Sequence, residues 1–330
     1  MYCYEYANFA FTFCRSVFNS NVYSLVDATI PCPAAAAADS EKQHSKTQVL
    51  QQHNQQHQLL IMGVRKDILP VATSIFLSLK AQPAKLDTLA KPFLLVLMAH
   101  RAFLSQIQNW LCNTALMQGV HERTLIIFTD DGDEALKASL VASKFPVKIL
   151  RMHLILPPDF QEDVDYETYG YWRLVQVRVQ LVLEIIKAEI AFLLFEPDAL
   201  WVTNPLLDPI LSSNEDIVGF DDHEGVPGFG WLRVIPTANV LSMFTELERR
   251  FSGHMDRGLA LQANDAMNIE GGEQRILYEL LMQRGNTSYS EITFKMLSQT
   301  KYTSGKWYDG GRGGDGSDQR AACQADGKFM

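Results

Sequence analysis

The sequence predicts an α/β fold with a Rossmann-like, mainly parallel central sheet flanked by helices. Three observations carry that expectation. Short continuous apolar runs at Phe93–Met98, Thr124–Phe128 and Ile190–Phe195 suit strands buried on both faces. Stretches of helical period at Phe103–Gln118 and Tyr171–Lys187 alternate with them. No internal repeat is visible.

Taken in order, residues 1–58 read as a disordered low-complexity region. Pro31–Asp39 is an alanine tract, and Gln43–Gln58 is rich in Gln and His, with His44, His53 and His57. The folded unit is expected over 59–308. Phe93–Met98 is its first clear strand. The helix over Phe103–Gln118 has Gly119 as a C′ stop. Thr124–Phe128 runs into Thr129-Asp130-Asp131-Gly132-Asp133, and a short helix follows over Glu134–Ser143. Pro146–Leu150 is the next strand, then the long helix Tyr171–Lys187 and the strand Ile190–Phe195. Asp216–Phe220 and Phe229–Ile235 are two more strands. Pro236 at N1 opens a helix to about Phe251. Glu273–Arg284 is the last helix, with Gly285 at C′. Residues 309–330 form a Gly-rich tail, Asp309–Gly316 being too glycine-dense to order without help.

Composition narrows the function. Of 330 residues, 29 are Lys or Arg and 38 are Asp or Glu, a net charge of −9 that argues against a non-specific nucleic-acid binder. Cysteines stand at 3, 14, 32, 112 and 323, so Cys112 is isolated in the central region and no disulfide framework or cysteine zinc site is expected there. No apolar run approaches the ~20 residues of a membrane span. Asn8, Arg15 and Asn19–Asn21 interrupt the aromatic N-terminus, which makes a poor signal peptide or anchor. A truncated N-terminus would account for both the Gln/His tract and the missing anchor.

The strongest chemical signal is Phe195-Glu196-Pro197-Asp198-Ala199-Leu200-Trp201. Two carboxylates at i and i+2 on extended chain face the same way, here at the carboxyl end of a strand, where open α/β sheets bind ligands. Converging carboxylates repel unless a cation or proton shares the site, and hard oxygen ligands suit Mg²⁺ or Mn²⁺. A polar strand end with solvated acids is the plainer reading. On the preceding helix, Arg173, Gln176, Gln180, Glu184 and Lys187 share one stripe, whereas Arg178 lies on the opposite, apolar side and must find an anion. That anion is a structural carboxylate or a ligand phosphate. Asp130–Asp133 is an acidic turn that lacks calcium-loop spacing. The Asp221-Asp222-His223 run offers either an acceptor-binding Asp/His couple or a solvated loop. Gly228-Phe229-Gly230 allows close backbone approach or a bulge. Glu273-Gln274 opens a helix where an acid suits the dipole.

The run Phe195–Leu206 resembles the nucleotide-diphospho-sugar transferase family, which includes plant and algal cell-wall xylosyl- and arabinosyltransferase relatives. Other segments are similar in the same order: Asn109-Trp110-Leu111, Leu125–Asp130, Tyr171–Arg178, Asp216-Ile217 with Asp221, Gly228–Arg233, Glu273-Gln274 and Lys301–Lys306. The resemblance covers about residues 90–308. It implies a GT-A-like α/β domain that binds a nucleotide-sugar donor, with Mn²⁺ (or Mg²⁺) as cofactor. The family's motif is Asp-x-Asp, and Glu196 stands for its first acid.

By that resemblance Asp198 is the direct metal ligand, and Glu196 assists directly or through water. Arg178 and Asp130 join the nucleotide-sugar site. Asp221, Asp222 and Gln274 are the candidate catalytic residues, holding acceptor or donor sugar. The implied function is a divalent-metal-dependent hexosyl- or pentosyltransferase, retaining anomeric configuration, with a glycan or glycoprotein acceptor and a Golgi lumenal setting. The sequon Asn286-Thr287-Ser288 agrees with that setting. A catalytically degenerate GT-A-like binding or scaffold protein is the alternative. A phosphatase-like hydrolase working from Asp130 is a second.

Overall fold

The computed structural model describes residues 55, 58, 61–81, 92–100, 103–129, 145–152, 169–199, 201, 203–223, 225–260 and 272–297. The expected helix over 134–143, the Asp130 turn, the Lys301–Lys306 segment and the Gly-rich tail lie outside these residues.

Among the described residues the chain forms a seven-stranded sheet of β1 (Leu94–Ala99), β2 (Thr124–Phe128), β3 (Lys148–Arg151), β4 (Phe192–Phe195), β5 (Ile217–His223), β6 (Val226–Val234) and β7 (Phe294–Leu297). Its order is β3-β2-β1-β4-β6-β5-β7. The pairs β3–β2, β2–β1, β1–β4 and β5–β7 are parallel, and β6 runs antiparallel to both β4 and β5. This is the mainly parallel α/β architecture that the sequence predicts. The helices are α1 (Leu69–Ala81), α2 (Leu104–Asn113), α3 (Tyr169–Lys187), α4 (Ala238–Ala260) and α5 (Gly272–Gln283).

Strand alternation builds two cores. Leu94, Val96, Met98, Leu125, Ile127, Phe192 and Leu194 point to the side packed by α1, α3, α4 and α5. Leu95, Leu97, Ile126, Phe128, Leu193 and Phe195 point to the other, which holds α2, Trp201, Leu206 and Leu211. Burial on both faces is why these strands read as unbroken apolar runs.

Helix α3 is buried nearly all round, and its polar stripe is covered too. Arg173, Gln176, Gln180 and Glu184 are all buried. Gln176 Nε2 donates to Ser252 Oγ on α4 at 3.1 Å, and Gln180 Nε2 donates to Glu248 on the same helix. Arg65, in the π-helical segment Val64–Ile68 that leads into α1, donates to both Glu184 oxygens at 2.7 and 3.2 Å. The stripe is therefore a seam between helices. Its amides and acids are tolerated inside because they are hydrogen-bonded.

Several boundaries differ from expectation for local reasons. Helix α2 stops at Asn113, and the Trp110 carbonyl accepts both from Thr114 N–H at 2.9 Å and from Thr114 Oγ1 at 2.8 Å. Gly119, with φ 80°, serves the turns that follow. Pro236 is not at N1: Thr237 caps α4, its Oγ1 accepting from Val240 N–H at 3.3 Å. That helix continues to Ala260. Gly285 lies within the 3₁₀ turn Arg284–Asn286. Cys112, isolated in the sequence, is disulfide-bonded, because bridging needs nearness in space rather than in sequence. Among the described residues, no helix is long and apolar enough to cross a membrane.

Candidate functional site at the carboxyl end of β4

Strand β4 ends on Phe195, opposite Leu97 of β1 and Trp231 of β6. Glu196 N–H still donates to Gly230 O at 2.8 Å, so its backbone continues the ladder. The chain then turns at once, and Ala199 N–H donates to Glu196 O at 3.2 Å. Pro197 occupies the second position of that turn, where its fixed φ is preferred. The extended i, i+2 geometry read from the sequence is thus replaced by a turn, with Glu196 at its root and Asp198 at its exposed tip.

An aromatic platform holds the turn. Trp110 on α2 packs against Phe195 and Trp201 at centroid distances of 4.8 and 5.3 Å, and Phe195 meets Trp201 at 4.9 Å. Asn113 Oδ1 accepts from Trp201 N–H at 3.1 Å. Asn204 Nδ2 donates to Gln118 O at 2.9 Å, and its Oδ1 caps the 3₁₀ turn Pro205–Leu207 by accepting from Leu206 N–H. The Asn-Trp-Leu segment thereby supports the acidic motif from below.

Behind the turn stands a charged triad. Arg178 Nη1 donates to Glu196 Oε1 at 2.6 Å, and Nη2 pairs with Glu273 on α5. The guanidinium carbon lies 5.4 Å from the Phe229 ring centroid. Burial works against the Arg178 charge, but Glu273 and then Glu196 more than offset it and raise its pKa. Of the two anions the sequence left open for this arginine, the structure shows carboxylates. Asp198 differs. Partial desolvation of its carboxyl, and then Glu196, raise its pKa, with its own backbone N–H and Arg178 opposing. Among the described residues no Lys or Arg forms an ion pair with it.

The remaining sequence candidates fall into distinct places. Gln274 Oε1 accepts from Phe229 N–H at 2.9 Å, so the first turn of α5 grips both Arg178 and the β6 backbone. Asp221 Oδ1 accepts from Gly225 N–H at 2.8 Å inside the β5–β6 hairpin, and Gly225 takes φ 86° there. Asp222 and His223 complete β5, whose pairing with β6 carries register shifts on either side of Asp221. The Gly228–Gly230 run provides close approach: a Cβ on Gly228 would strike the Phe220 ring, and one on Gly230 the Glu196 carboxylate. Asp130 lies outside the described residues. Sequence reasoning missed the Arg178–Glu273 pair and the Asn113 anchor. The apolar-side arginine was the available signal for the first, and nothing marked the second.

Asp198 offers an exposed hard-oxygen donor, with no ion-pair partner among the described residues, beside a second carboxylate. Among the described residues no group of three or more His, Cys, Asp or Glu is placed to hold a metal. This donor set fits a divalent cation that takes one or two protein oxygens and draws its other ligands from phosphates and water.

A mainly parallel α/β sheet with an acidic turn at the carboxyl end of an inner strand is the architecture in which open α/β sheets take their ligands at the strand ends. The model of the family described as nucleotide-diphospho-sugar transferase matches residues 120–311, more than half of the chain. The chain belongs to this family and is a glycosyltransferase by class. No curated protein sequence matches it. Among solved structures it is similar to the PaToxG glycosyltransferase, at 12% identity over 70% of this chain and 82% of that one, with a TM-score of 0.35. That likeness is too distant to bear on function.

Proposed function

We propose that this chain transfers a hexosyl or pentosyl unit from a nucleotide-diphosphate sugar to a glycan or glycoprotein acceptor, with a divalent metal and with retention. The observation that supports this reading best is Asp198, an exposed carboxylate with no ion-pair partner among the described residues, on a turn at the end of β4 in a chain of the nucleotide-diphospho-sugar transferase family. Mn²⁺ or Mg²⁺, when bound, would neutralise charge on the departing nucleoside diphosphate. Asp198 would hold it. Arg178 keeps Glu196 at the root of the turn, and the Trp110–Phe195–Trp201 platform keeps the turn in place. A Golgi lumenal setting belongs to the same proposal.

Calorimetric titration with a panel of nucleoside diphosphates and their sugars, with and without Mn²⁺, tests it. Metal-dependent binding that Asp198→Ala abolishes is the expected result. Folded protein that binds none of the panel would overturn it. One observation favours a second reading, a binding module without turnover: Asp221 and Gln274 are both engaged in backbone hydrogen bonds. Donor binding with neither hydrolysis nor transfer would select that reading.

A further inference from the structure

We propose that Arg178 is a lock that withholds Glu196 from the divalent cation, so that the cation enters as a complex with the donor's diphosphate rather than alone. The inference rests on the proposed function and deepens it. Arg178 is inside the protein, 13% exposed, and is held from behind by Glu273, which is 5% exposed. It cannot give up its proton, so its positive charge is permanent. Its Nη1 grips Glu196 Oε1 at 2.6 Å. A divalent ion drawn to Glu196 would stand beside that fixed charge and be repelled by it. Of the two carboxylates on the turn, Asp198 is the one with no ion-pair partner among the described residues, while Glu196 is held through Oε1. One carboxylate binds a free divalent ion weakly, and a diphosphate supplies both the missing oxygens and the missing negative charge.

Side-chain length enters directly. Gly230 leaves room for the Glu196 carboxylate, since a Cβ there would occupy its place. Shortening residue 196 by one methylene withdraws the carboxylate from Arg178. Arg178 and Glu273 are positioning residues in this scheme, acting on the cation through Glu196.

The test is a titration with Mn²⁺ alone, read by the loss of the free-ion electron paramagnetic resonance signal. The full chain is compared with Glu196→Asp, Arg178→Gln/Glu273→Gln and Asp198→Ala. The double change removes one charge of each sign from the interior, and Glu196→Asp serves if the double variant does not fold. Release of the lock is expected to tighten Mn²⁺ binding about tenfold, the scale at which partners of ligating groups act. The gain should vanish when Asp198→Ala is added. A merely structural role for Arg178 would weaken binding or leave it alone. Folded release variants that bind Mn²⁺ no more tightly would overturn the lock. So would a Glu196→Gln variant losing as much affinity as Asp198→Ala. If the wild-type chain binds no nucleoside diphosphate, the proposed function fails, while the titration with Mn²⁺ alone still decides the lock.

Discussion

Gly230 and Glu196 share one small volume: the side of Gly230 where a Cβ would stand is filled by the Glu196 carboxylate. The two are also joined through the backbone, with Glu196 N–H donating to Gly230 O at 2.8 Å. Neither Gly230 nor Gly228 has a positive φ, so close approach and not dihedral freedom is what demands glycine here. Gly230→Ala should therefore leave the sheet intact and push the Glu196 side chain off Arg178. The expected loss is about 1–2 kcal/mol, the scale of a hydrogen-bonded charge pair. Denaturant unfolding of Gly230→Ala alongside Glu196→Gln checks it. Each should lose a similar amount, and the double variant should lose little more than either. Additive losses would mean that the methyl group acts elsewhere.

Asp198 lies at the exposed tip of its turn, and its carboxyl is charged against the local field of Glu196. Removing it relieves like-charge repulsion and breaks no ion pair among the described residues. Asp198→Ala should melt within a degree or two of wild type, roughly ±0.5 kcal/mol, while Mn²⁺-dependent nucleoside diphosphate binding is lost. A large drop in melting temperature would instead give Asp198 a structural role.

The sheet was legible because burial on both faces writes itself as uninterrupted apolar runs: β2 matches its expected span, and β1 is displaced by one residue. Helix ends were less legible. A single hydroxyl decided the start of α4, where Thr237 rather than Pro236 sets the cap. At the site, sequence placed Glu196 and Asp198 at the end of β4 and required an anion for Arg178. It could not supply Glu273, because the ion pair joins residues 95 apart in the chain. The stripe on α3 shows the same limit. Periodicity finds a polar face, but only the partners Arg65, Glu248 and Ser252 reveal that the face is covered.

His121 gives the fold a pH dependence of definite sign. It is 4% exposed and packs on Trp110 and Phe145. Its Nε2 is hydrogen-bonded to Thr114 Oγ1 at 2.8 Å. Burial pushes the His121 pKa down to about 4, from 6.5. The unfolded chain therefore takes up this proton before the folded one does. The stabilising contribution is whole above pH 6.5 and is lost as pH falls toward 4, roughly 3 kcal/mol in all. Glu184 and Glu246 also have lowered pKa values, but their contributions fade only below the ordinary Glu value of 4.5. The difference between wild type and His121→Gln over pH 7 to pH 5 thus isolates the histidine. Wild type should lose about 2 kcal/mol more over that interval than His121→Gln. Equal losses would show that His121 titrates normally.

Asn113 reaches the site without touching a ligand. Its Oδ1 accepts from Trp201 N–H at 3.1 Å, and that bond ties the end of α2 to the loop carrying Glu196 and Asp198. Trp201 is 2% exposed, so its backbone amide would lose a protein partner where solvent is scarce. Asn113→Ala should cost about 1 kcal/mol of stability and leave the aromatic platform assembled, since Trp110 and Phe195 still enclose the Trp201 ring. The loop would then sample more positions than the one that presents Asp198. Nucleoside diphosphate affinity in Mn²⁺ should fall about fivefold, the same free energy expressed at the site. Trp110→Ala supplies the contrast, because it removes the platform and should cost about 3–5 kcal/mol. Stability lost in Asn113→Ala with affinity unchanged would show that the anchor serves the fold alone. An affinity loss that tracks the anchor would place Asn113 among the residues that position the acidic turn.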